Sequence, residues 1–278
     1  MREGRSFIVQ WYDERARRIR PVARFREVER PEGCRFEFSY VAGVREATEH
    51  GFTPFAAFPE IDVCYRSPDI FPFFRNRIMP TTRPDYVEHA EMLGLDPRSA
   101  DALDVLGRSG GVRVTDRVEI VPVPTRTATG RFETRFLVRG VRHRPHGEET
   151  AAKLVPEEPL FLMIDLQNEQ RPGAIALRTR SEHILGYVPE YLALDAEQLL
   201  RSSAPGANGS PRPLVRVVVE RVNLPPISVH HRVLCRFEAD WPDGLVPFSQ
   251  PIYRPIGPWE DAPDGRAQRG EASPTFAP

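Results

Sequence analysis

The 278-residue chain contains little cysteine, almost no lysine and no long apolar run. Its three cysteines, Cys34, Cys64 and Cys235, are odd in number and far apart, so neither a disulfide framework nor the paired spacing of a zinc site is present. No stretch approaches the roughly eighteen apolar residues of a membrane span, and residues 7–11 are too short for a secretory signal peptide. These absences predict a cytoplasmic protein in a reducing compartment, without a membrane partner.

Net charge is also nearly absent, at −1, so no global excess of positive charge predicts non-specific binding to nucleic acid. Lys153 is the only lysine, and all the other basic residues are arginine or histidine. Arginine can hold phosphates and carboxylates through two parallel hydrogen bonds. A GC-rich prokaryotic genome, which favours arginine codons, explains the bias more simply. Any basic surface therefore has to be local.

Residues 1–122 predict a mixed α+β domain that is rich in strands and has short helices. Phe36, Phe38 and Tyr40 alternate with polar neighbours, a period of two that is typical of a strand with one aromatic face. The predicted strands are 6–12, 22–28, 34–41 and 117–121, and the predicted helices are 84–93 and 96–107. The aromatic stretch 52–74 has two interpretations, the core of this domain or an exposed surface that binds a partner protein.

Composition divides the remainder of the chain into three parts. Residues 123–131 are polar and contain Pro and Gly, which predicts a linker. Residues 132–240 contain about six strand patterns and one or two helices, an order that fits a small OB-like β-barrel. Residues 251–278 are rich in Pro, Gly and acidic residues and predict a disordered tail, and residues 202–213 predict a flexible loop. The predicted fold class is therefore α+β.

The most informative stretch of the second half is residues 160–200. An apolar strand pattern at 160–166 leads into a polar corner at 167–173. Two further strand patterns follow, at 174–179 and 183–188. Pro189 then opens a helix that runs to about Leu200, because proline suits the first helical turn.

Several short blocks in residues 132–239 resemble the HIRAN family. The blocks are Gly140-Val141-Arg142-His143, Asn168, Ala174-Ile175-Ala176-Leu177, Leu185-Gly186-Tyr187-Val188-Pro189 and Leu192-Ala193. The resemblance implies a small barrel and binding of single-stranded DNA. It also implies a Tyr-Asp pair that stacks on a terminal base and accepts the 3′ hydroxyl. This chain has Gln170 and Arg171 in those places, and neither can stack like tyrosine or accept like a carboxylate.

The first half is similar to the N-terminal subdomain of the HipA family. The similarity lies in residues 71–77, in residues 101–111 and in the strand that ends at Pro122. In that family the subdomain precedes a kinase domain and helps to contact an antitoxin. No kinase motif follows here, since no H-R-D-like loop and no D-F-G occur after Pro122.

Seven residues of the second half are candidates for contacts with nucleic acid: Arg142, His143, Arg144, Asn168, Arg171, Arg178 and Tyr187. The arginines would hold phosphates, and His143 and Tyr187 would stack on or border the bases. Each also has a structural interpretation. Arg142 to Arg144 fit a solvated strand end, Asn168 fits a turn that bonds its own backbone, and Tyr187 fits a half-buried core residue.

Other chemistries find little support in the sequence. His143 with His146, or His230 with His231, lack further metal ligands at suitable spacing. The glycine-rich residues 107–111 are not followed by the G-K-[ST] of a P-loop, and no G-x-S-x-G elbow occurs. We therefore expect a non-catalytic protein without a cofactor that binds single-stranded or damaged DNA as an accessory module. The alternative is a protein-interaction adaptor that uses residues 52–74.

Overall fold

The computed structural model describes residues 4–28, 35–113, 116–168, 171, 173–202 and 214–259. Within these residues the chain forms two antiparallel sheets, of five and six strands, and six α-helices. The predicted α+β class is confirmed. The predicted loop at 202–213 lies almost entirely outside the described residues, as do Cys34 and Gln170. No helix of the described part is long and apolar enough to cross a membrane.

The first sheet has the spatial order β4-β3-β2-β1-β5. Its strands are β1 (Ser6–Asp13), β2 (Arg18–Glu27), β3 (Phe36–Tyr40), β4 (Cys64–Ser67) and β5 (Val118–Pro122), and the helices of this half are α1 (Gly43–Glu49), α2 (Pro72–Arg75), α3 (Tyr86–Met92) and α4 (Ala102–Ser109). Helix α4 begins later than the predicted residue 96. The side chain of Asp101 caps it by accepting the backbone N–H groups of Leu103 and Asp104, and Gly110 ends it in the left-handed conformation.

Aromatic rings fill the core of the first half. The rings of Phe38 and Phe58 lie 3.8 Å apart and those of Phe25 and Phe74 lie 4.0 Å apart, centroid to centroid. Phe52, Phe58, Phe71 and Phe74 are all buried, and Phe55 and Phe73 pack against the same cluster. The aromatic rings of residues 52–74 therefore belong to the core, and the alternative of a partner-binding surface there is not supported. Burial of these rings is the more favourable outcome because each removes a large apolar area from water.

The second sheet has the spatial order β6-β11-β10-β7-β8-β9. Its strands are β6 (Arg131–Leu137), β7 (Pro159–Asp165), β8 (Ala174–Arg178), β9 (Ile184–Tyr187), β10 (Val215–Val222) and β11 (Val233–Asp240), and the helices are α5 (Gly147–Ala152) and α6 (Glu190–Ser202). Helix α6 buries Tyr191, Leu192, Ala196 and Leu199, whose helical spacing forms one apolar face against the sheet.

The two edges of this sheet meet at one point. Arg139, which lies just after β6, and Tyr187 of β9 exchange two backbone hydrogen bonds, of 2.9 and 2.8 Å. Gly186 permits the approach, since a Cβ at that position would lie 2.5 Å from the carbonyl oxygen of Arg139. The contact is an isolated bridge, and no ladder of strand pairing closes the sheet within the described residues. The predicted OB-like barrel is therefore not confirmed.

The two halves pack against each other. Ile8 and Val121 of the first sheet belong to the same apolar cluster as Phe237 of β11. The amide of Asn223 donates to the carbonyl oxygen of Met92 at 3.0 Å. The predicted linker at 123–131 contains a turn, in which the N–H of Thr127 donates to the carbonyl oxygen of Arg131. Its role as a domain boundary stays a prediction.

The predicted disordered tail begins too early at residue 251. Pro251–Tyr253 form a short 3-10 helix with Tyr253 buried, and Pro255 forms a β-bridge with Val41. The guanidinium carbon of Arg26 lies 4.0 Å from the ring centroid of Trp259. This segment contains Ile252, Tyr253 and Trp259, and those apolar side chains give it surface to bury. Residues 260–278 lie outside the described part.

Candidate functional site

The site is built where β7, β8 and β9 end side by side. In the strand register Asp165 lies opposite Ala174, and Ala176 lies opposite Tyr187. Residues directly opposite each other point to the same sheet face. Asp165 and Tyr187 therefore stand on one face with β8 between them. Because Ala174 and Ala176 are small, the Tyr187 hydroxyl reaches across β8 and donates to Oδ2 of Asp165 at 2.9 Å.

Arg144 joins this pair from the chain that follows β6. Gly140 adopts φ +77°, a conformation that glycine takes without strain, and turns the chain into the 3-10 helix Val141–His143. The turn delivers Arg144 to Tyr187. Nη1 of Arg144 lies 3.2 Å from the Tyr187 hydroxyl, to which it donates, and the guanidinium carbon lies 5.3 Å from the ring centroid. Nε of Arg144 is buried and has no hydrogen bond among the described residues.

The Tyr187 hydroxyl is held as a neutral donor. Burial raises its pKa, and the hydrogen bond to Asp165 raises it further. The positive charge of Arg144 and a hydrogen bond with Asn168 lower the pKa but do not reverse the direction. Both carboxylate oxygens of Asp165 are engaged, because Oδ1 accepts the backbone N–H of Gln167 at 3.1 Å.

Asn168 and Arg171 fix the polar corner. Oδ1 of Asn168 accepts the backbone N–H of Arg171 at 3.0 Å, so the structural interpretation of Asn168 as a turn residue is correct. The guanidinium of Arg171 forms an ion pair with Glu190 at 3.0 Å and donates to that residue's carbonyl oxygen at 3.3 Å. Arg171 therefore ties the corner to the start of α6, and its charge is already engaged.

Arg142 and His143 lie on the 3-10 helix immediately before Arg144, and both are exposed. Nε of Arg142 donates to Nε2 of His143 at 3.0 Å. Arg142 forms no ion pair with a carboxylate among the described residues, so its charge faces solvent. These two side chains adjoin the Tyr187 cluster and do not enter it.

Arg178 stands farther along the same sheet face. It lies opposite Phe161 of β7, two residues beyond Ala176 on β8. Its guanidinium pairs with Glu182 at 3.3 Å, and Glu182 itself is largely exposed. Phe161 is 52% exposed, an uncommon position for a large aromatic residue. The face thus carries an aromatic ring at each end, Phe161 and Tyr187, with an arginine beside each.

The structure brings the seven predicted residues together in part. Arg144, Asn168 and Tyr187 form one cluster, to which the backbone of Arg171 is attached, while the other three predicted residues flank it: Arg142, His143 and Arg178. Sequence reasoning missed Phe161 and Asp165. Both lie in the run L-F-L-M-I-D, where the continuous apolar pattern hides the alternation of faces, and only the register with β8 separates them.

Metal coordination finds no candidate group in the part of the chain described. No cluster of three or more His, Cys, Asp or Glu side chains is positioned there to hold an ion. His143 and His146, and likewise His230 and His231, have no third ligand beside them in that part.

Comparisons with known proteins give two distant structural resemblances. No protein-family model matches the chain, and no curated protein matches it. A crystal structure of a protein from Lactobacillus plantarum has a TM-score of 0.30 and 15% identity, over 40% of this chain and 97% of its own. The crystal structure of the HIRAN domain of human HLTF has a TM-score of 0.27 and 14% identity, over 41% of this chain and 81% of its own. At these scores neither resemblance carries an argument about function, and the likeness to the HipA family stays a prediction.

Proposed function

We propose that the outer face of β7, β8 and β9 binds single-stranded nucleic acid without reading its sequence, and that the protein is a non-catalytic accessory module. The observation that carries the proposal is the pairing of Phe161 with Arg178 and of Tyr187 with Arg144 on one sheet face. Aromatic rings stack on bases of any identity, and neighbouring arginines bind the phosphates between them. We also propose that the protein is cytoplasmic, as its sequence predicts.

The geometry favours a strand over a duplex. The half-exposed ring of Phe161 and the partly buried ring of Tyr187 lie on one sheet face and can stack on unstacked bases, which a closed duplex does not present. Arg142, exposed on the adjoining 3-10 helix, extends the positive charge in one direction, and His143 adds an exposed ring beside it. The net charge of −1 makes this local arrangement the source of attraction.

Recognition of a free 3′ end is not part of the proposal. Such recognition needs a carboxylate acceptor in the position of the family's Asp, and this chain has Arg171 there. Arg171 pairs with Glu190 and offers no acceptor at all. We therefore expect a strand blocked at its 3′ end to bind as well as an unblocked one.

Fluorescence anisotropy tests the proposal. The probes are a labelled single strand, the same strand blocked at its 3′ end, and a duplex, each titrated at two salt concentrations. We expect the two single strands to bind equally, the duplex to bind more weakly, and affinity to fall as salt rises. Arg144→Ala should weaken binding about tenfold, since a charge-assisted contact contributes roughly 1.5–3 kcal/mol.

A matched control is Arg201→Ala. Arg201 is exposed on α6 and pairs with Glu197 at 2.5 Å, remote in sequence from the strand ends. It should leave the affinity unchanged. Absence of single-strand binding at low salt would contradict the proposal. It would then favour the adaptor alternative, for which the exposed ring of Phe161 is available on this face.

A further inference from the structure

A cavity of about 280 Å³ lies between the two halves of the molecule, apart from the sheet face described above. The first half supplies the end of α4, the glycine turn after it, and β5. The second half supplies β6, the residues that follow it, α6 and the 3-10 helix Val229–His231. The glycine-rich residues 107–111, which the sequence left without a function, form part of its wall.

The wall of this cavity is unbalanced in charge. Five of its lining residues are basic: Arg108, Arg135, Arg139, His230 and His231. Glu119 is the one acidic residue of the lining, and it forms an ion pair with Arg139. The two histidines are neutral at neutral pH, and Arg135 is paired with Glu133 and Glu220, so Arg108 is the arginine of the wall with the weakest carboxylate partner.

Arg108 is the least compensated of these cations. Its Nη1 donates to the carbonyl oxygen of Leu93 at 3.3 Å, but its nearest carboxylate oxygen, on Glu220, lies 3.7 Å away, beyond hydrogen-bond distance. Glu220 is already held by Nε of Arg135 at 2.8 and 3.0 Å, and Arg236 approaches it at 3.4 Å. Burial and the neighbouring charge of Arg135 lower the pKa of Arg108 to about 10, although Glu220 opposes the shift. At neutral pH Arg108 is thus a charged, largely desolvated group with an incomplete counter-charge.

Tyr191 adds a neutral donor to the same wall. Tyr191 lies on α6 and is buried, and its hydroxyl makes no hydrogen bond within the described part of the chain. Burial raises its pKa, and the negative charge of Glu119 raises it further. The hydroxyl therefore stays protonated and can donate to an anion together with the guanidinium groups.

We propose that this cavity binds a phosphate group, either on a small phosphorylated molecule or at the end of a nucleic-acid strand. Guanidinium forks match the oxygen geometry of phosphate, and a phosphate dianion would complete the counter-charge that Glu220 gives Arg108 only in part. The volume is at the lower end of the range for small-molecule sites, which fits a phosphate with a small substituent. The lining of the cavity shares no residue with the sheet face, although the charges of Arg142 and His143 reach His230 on its wall, and the test of this site does not depend on the proposed function.

Isothermal titration calorimetry with inorganic phosphate, at constant ionic strength maintained with chloride, is the primary test. We expect saturable binding by the full chain. Arg108→Gln should weaken it at least about tenfold, since one charge-assisted contact is lost. Glu119→Gln should tighten it, because the variant removes the carboxylate that competes for Arg139. A purely structural role of Glu119 predicts no gain, so this variant remains decisive even if Arg108→Gln folds poorly.

The matched control is Arg83→Gln. Arg83 is an exposed arginine of the first half, paired with Asp85 at 2.8 Å and absent from the cavity wall. It should bind phosphate like the original chain. No binding of phosphate up to about 10 mM, or equal losses in Arg108→Gln and Arg83→Gln, would overturn the proposal.

Two further arms distinguish the source of the phosphate. A trinucleotide with a 5′ phosphate is compared with the same trinucleotide carrying a 5′ hydroxyl, and phenyl phosphate is titrated alone. Preference for the phosphorylated trinucleotide over phenyl phosphate identifies a strand end, and the reverse identifies a small molecule. Arg144→Ala should change neither phenyl phosphate nor inorganic phosphate binding, which separates failure of this site from failure of the sheet face.

The pH dependence gives an independent check. Burial lowers the pKa of both His230 and His231. The charges of Arg142, Arg139 and His143 lower that of His230 further, and those of Arg139, His230 and His89 lower that of His231. Both are therefore neutral in the empty cavity at neutral pH, and a bound anion favours their protonation. Sulfate keeps its charge between about pH 5 and 8, where histidine titrates. Its affinity should rise as the pH falls, and a flat profile would contradict the inferred geometry.

Discussion

The hydroxyl of Tyr187 donates to Oδ2 of Asp165 at 2.9 Å, across the intervening strand β8. The two residues are 22 positions apart in sequence and meet because alanines occupy β8 between them. The bond positions the Tyr187 ring at the edge of the sheet face while Arg144 contacts it from the other side. Predictions about the face therefore begin with this tyrosine.

Two substitutions of Tyr187 test the roles of its ring and its hydroxyl one at a time. Tyr187→Phe keeps the ring but leaves Asp165 and Arg144 without their partner, and it should cost about 1–3 kcal/mol of unfolding free energy. Nucleic-acid binding should fall little. Tyr187→Leu removes the stacking surface and should cost roughly 1–3 kcal/mol of binding free energy. Urea denaturation and anisotropy measure the two effects, and equal binding losses in both variants would rule out stacking.

Arg142 should act through phosphate alone. Its side chain is exposed and hydrogen-bonds His143 only, among the described residues. Arg142→Ala is expected to weaken single-strand binding uniformly across sequences. The slope of log affinity against log salt should decrease by about 0.7, the value for one phosphate contact on a single strand. A salt series of anisotropy titrations measures the slope. An unchanged slope would remove Arg142 from the interface.

The left-handed conformation of Gly140 should matter for binding as well as for stability. Gly140→Ala places a side chain at φ +77°, which costs roughly 1–2 kcal/mol, and it disturbs the turn that carries Arg142 and Arg144. Gly51→Ala is the matched control, since Gly51 also has positive φ, at +97°, and a Cβ on it would have no neighbouring atom within 4 Å. Both variants should lose similar stability in thermal denaturation. Only Gly140→Ala should lose nucleic-acid affinity.

Asp195 should destabilise the fold at neutral pH. It is 2% exposed, and Oδ2 has no hydrogen bond among the described residues, while the backbone N–H of Phe248 donates to the carboxyl. Burial raises its pKa from 3.8 to about 6. Because the folded-state pKa is the higher one, its contribution to stability is fully present below about pH 3.8 and is lost as the pH rises through about 6. The negative charge of Asp195 in turn raises the pKa of Tyr253.

Asp195→Asn should therefore stabilise the protein by about 2 kcal/mol at pH 8, from a shift of about two pKa units reduced for partial solvation. The gain should nearly vanish near pH 4. Urea denaturation at both pH values measures it. Asp85→Asn is the control. The hydrogen bond from Arg83 lowers the pKa of that exposed carboxyl, so this substitution should destabilise the protein at pH 8 where Asp195→Asn stabilises it. A stabilisation by Asp195→Asn that is equal at both pH values would contradict the assigned cause.

Local pattern accounts for most of the elements that the sequence predicted. Strand β1 was expected at 6–12 and spans Ser6–Asp13, and the corner between β7 and β8 falls where Gln167 and Asn168 stand. Three of the candidate residues, Arg144, Asn168 and Tyr187, come together in the structure. Periodicity and turn chemistry are local properties, so a single sequence carries them.

Long-range packing accounts for what the sequence did not show. The two edges of the second sheet meet through the isolated bridge between Arg139 and Tyr187, residues far apart in the chain, and no local pattern encodes that contact. Tyr253 lies in a Pro-rich segment that composition assigns to disorder, yet it packs on the ring of Phe248 at 5.0 Å. Phe161 was hidden because strand β7 is apolar on both faces. Each of these features is set by a partner element and not by the segment itself.

Photo-crosslinking tests the central claim most directly. A single strand containing 5-iodouridine is bound to the full chain and irradiated, and the attached residues are identified by mass spectrometry. We expect crosslinks at Phe161 and Tyr187 that disappear when an unlabelled strand competes. Crosslinks confined to residues of the first half, or none under conditions where anisotropy shows binding, would contradict the assignment of the β7–β8–β9 face.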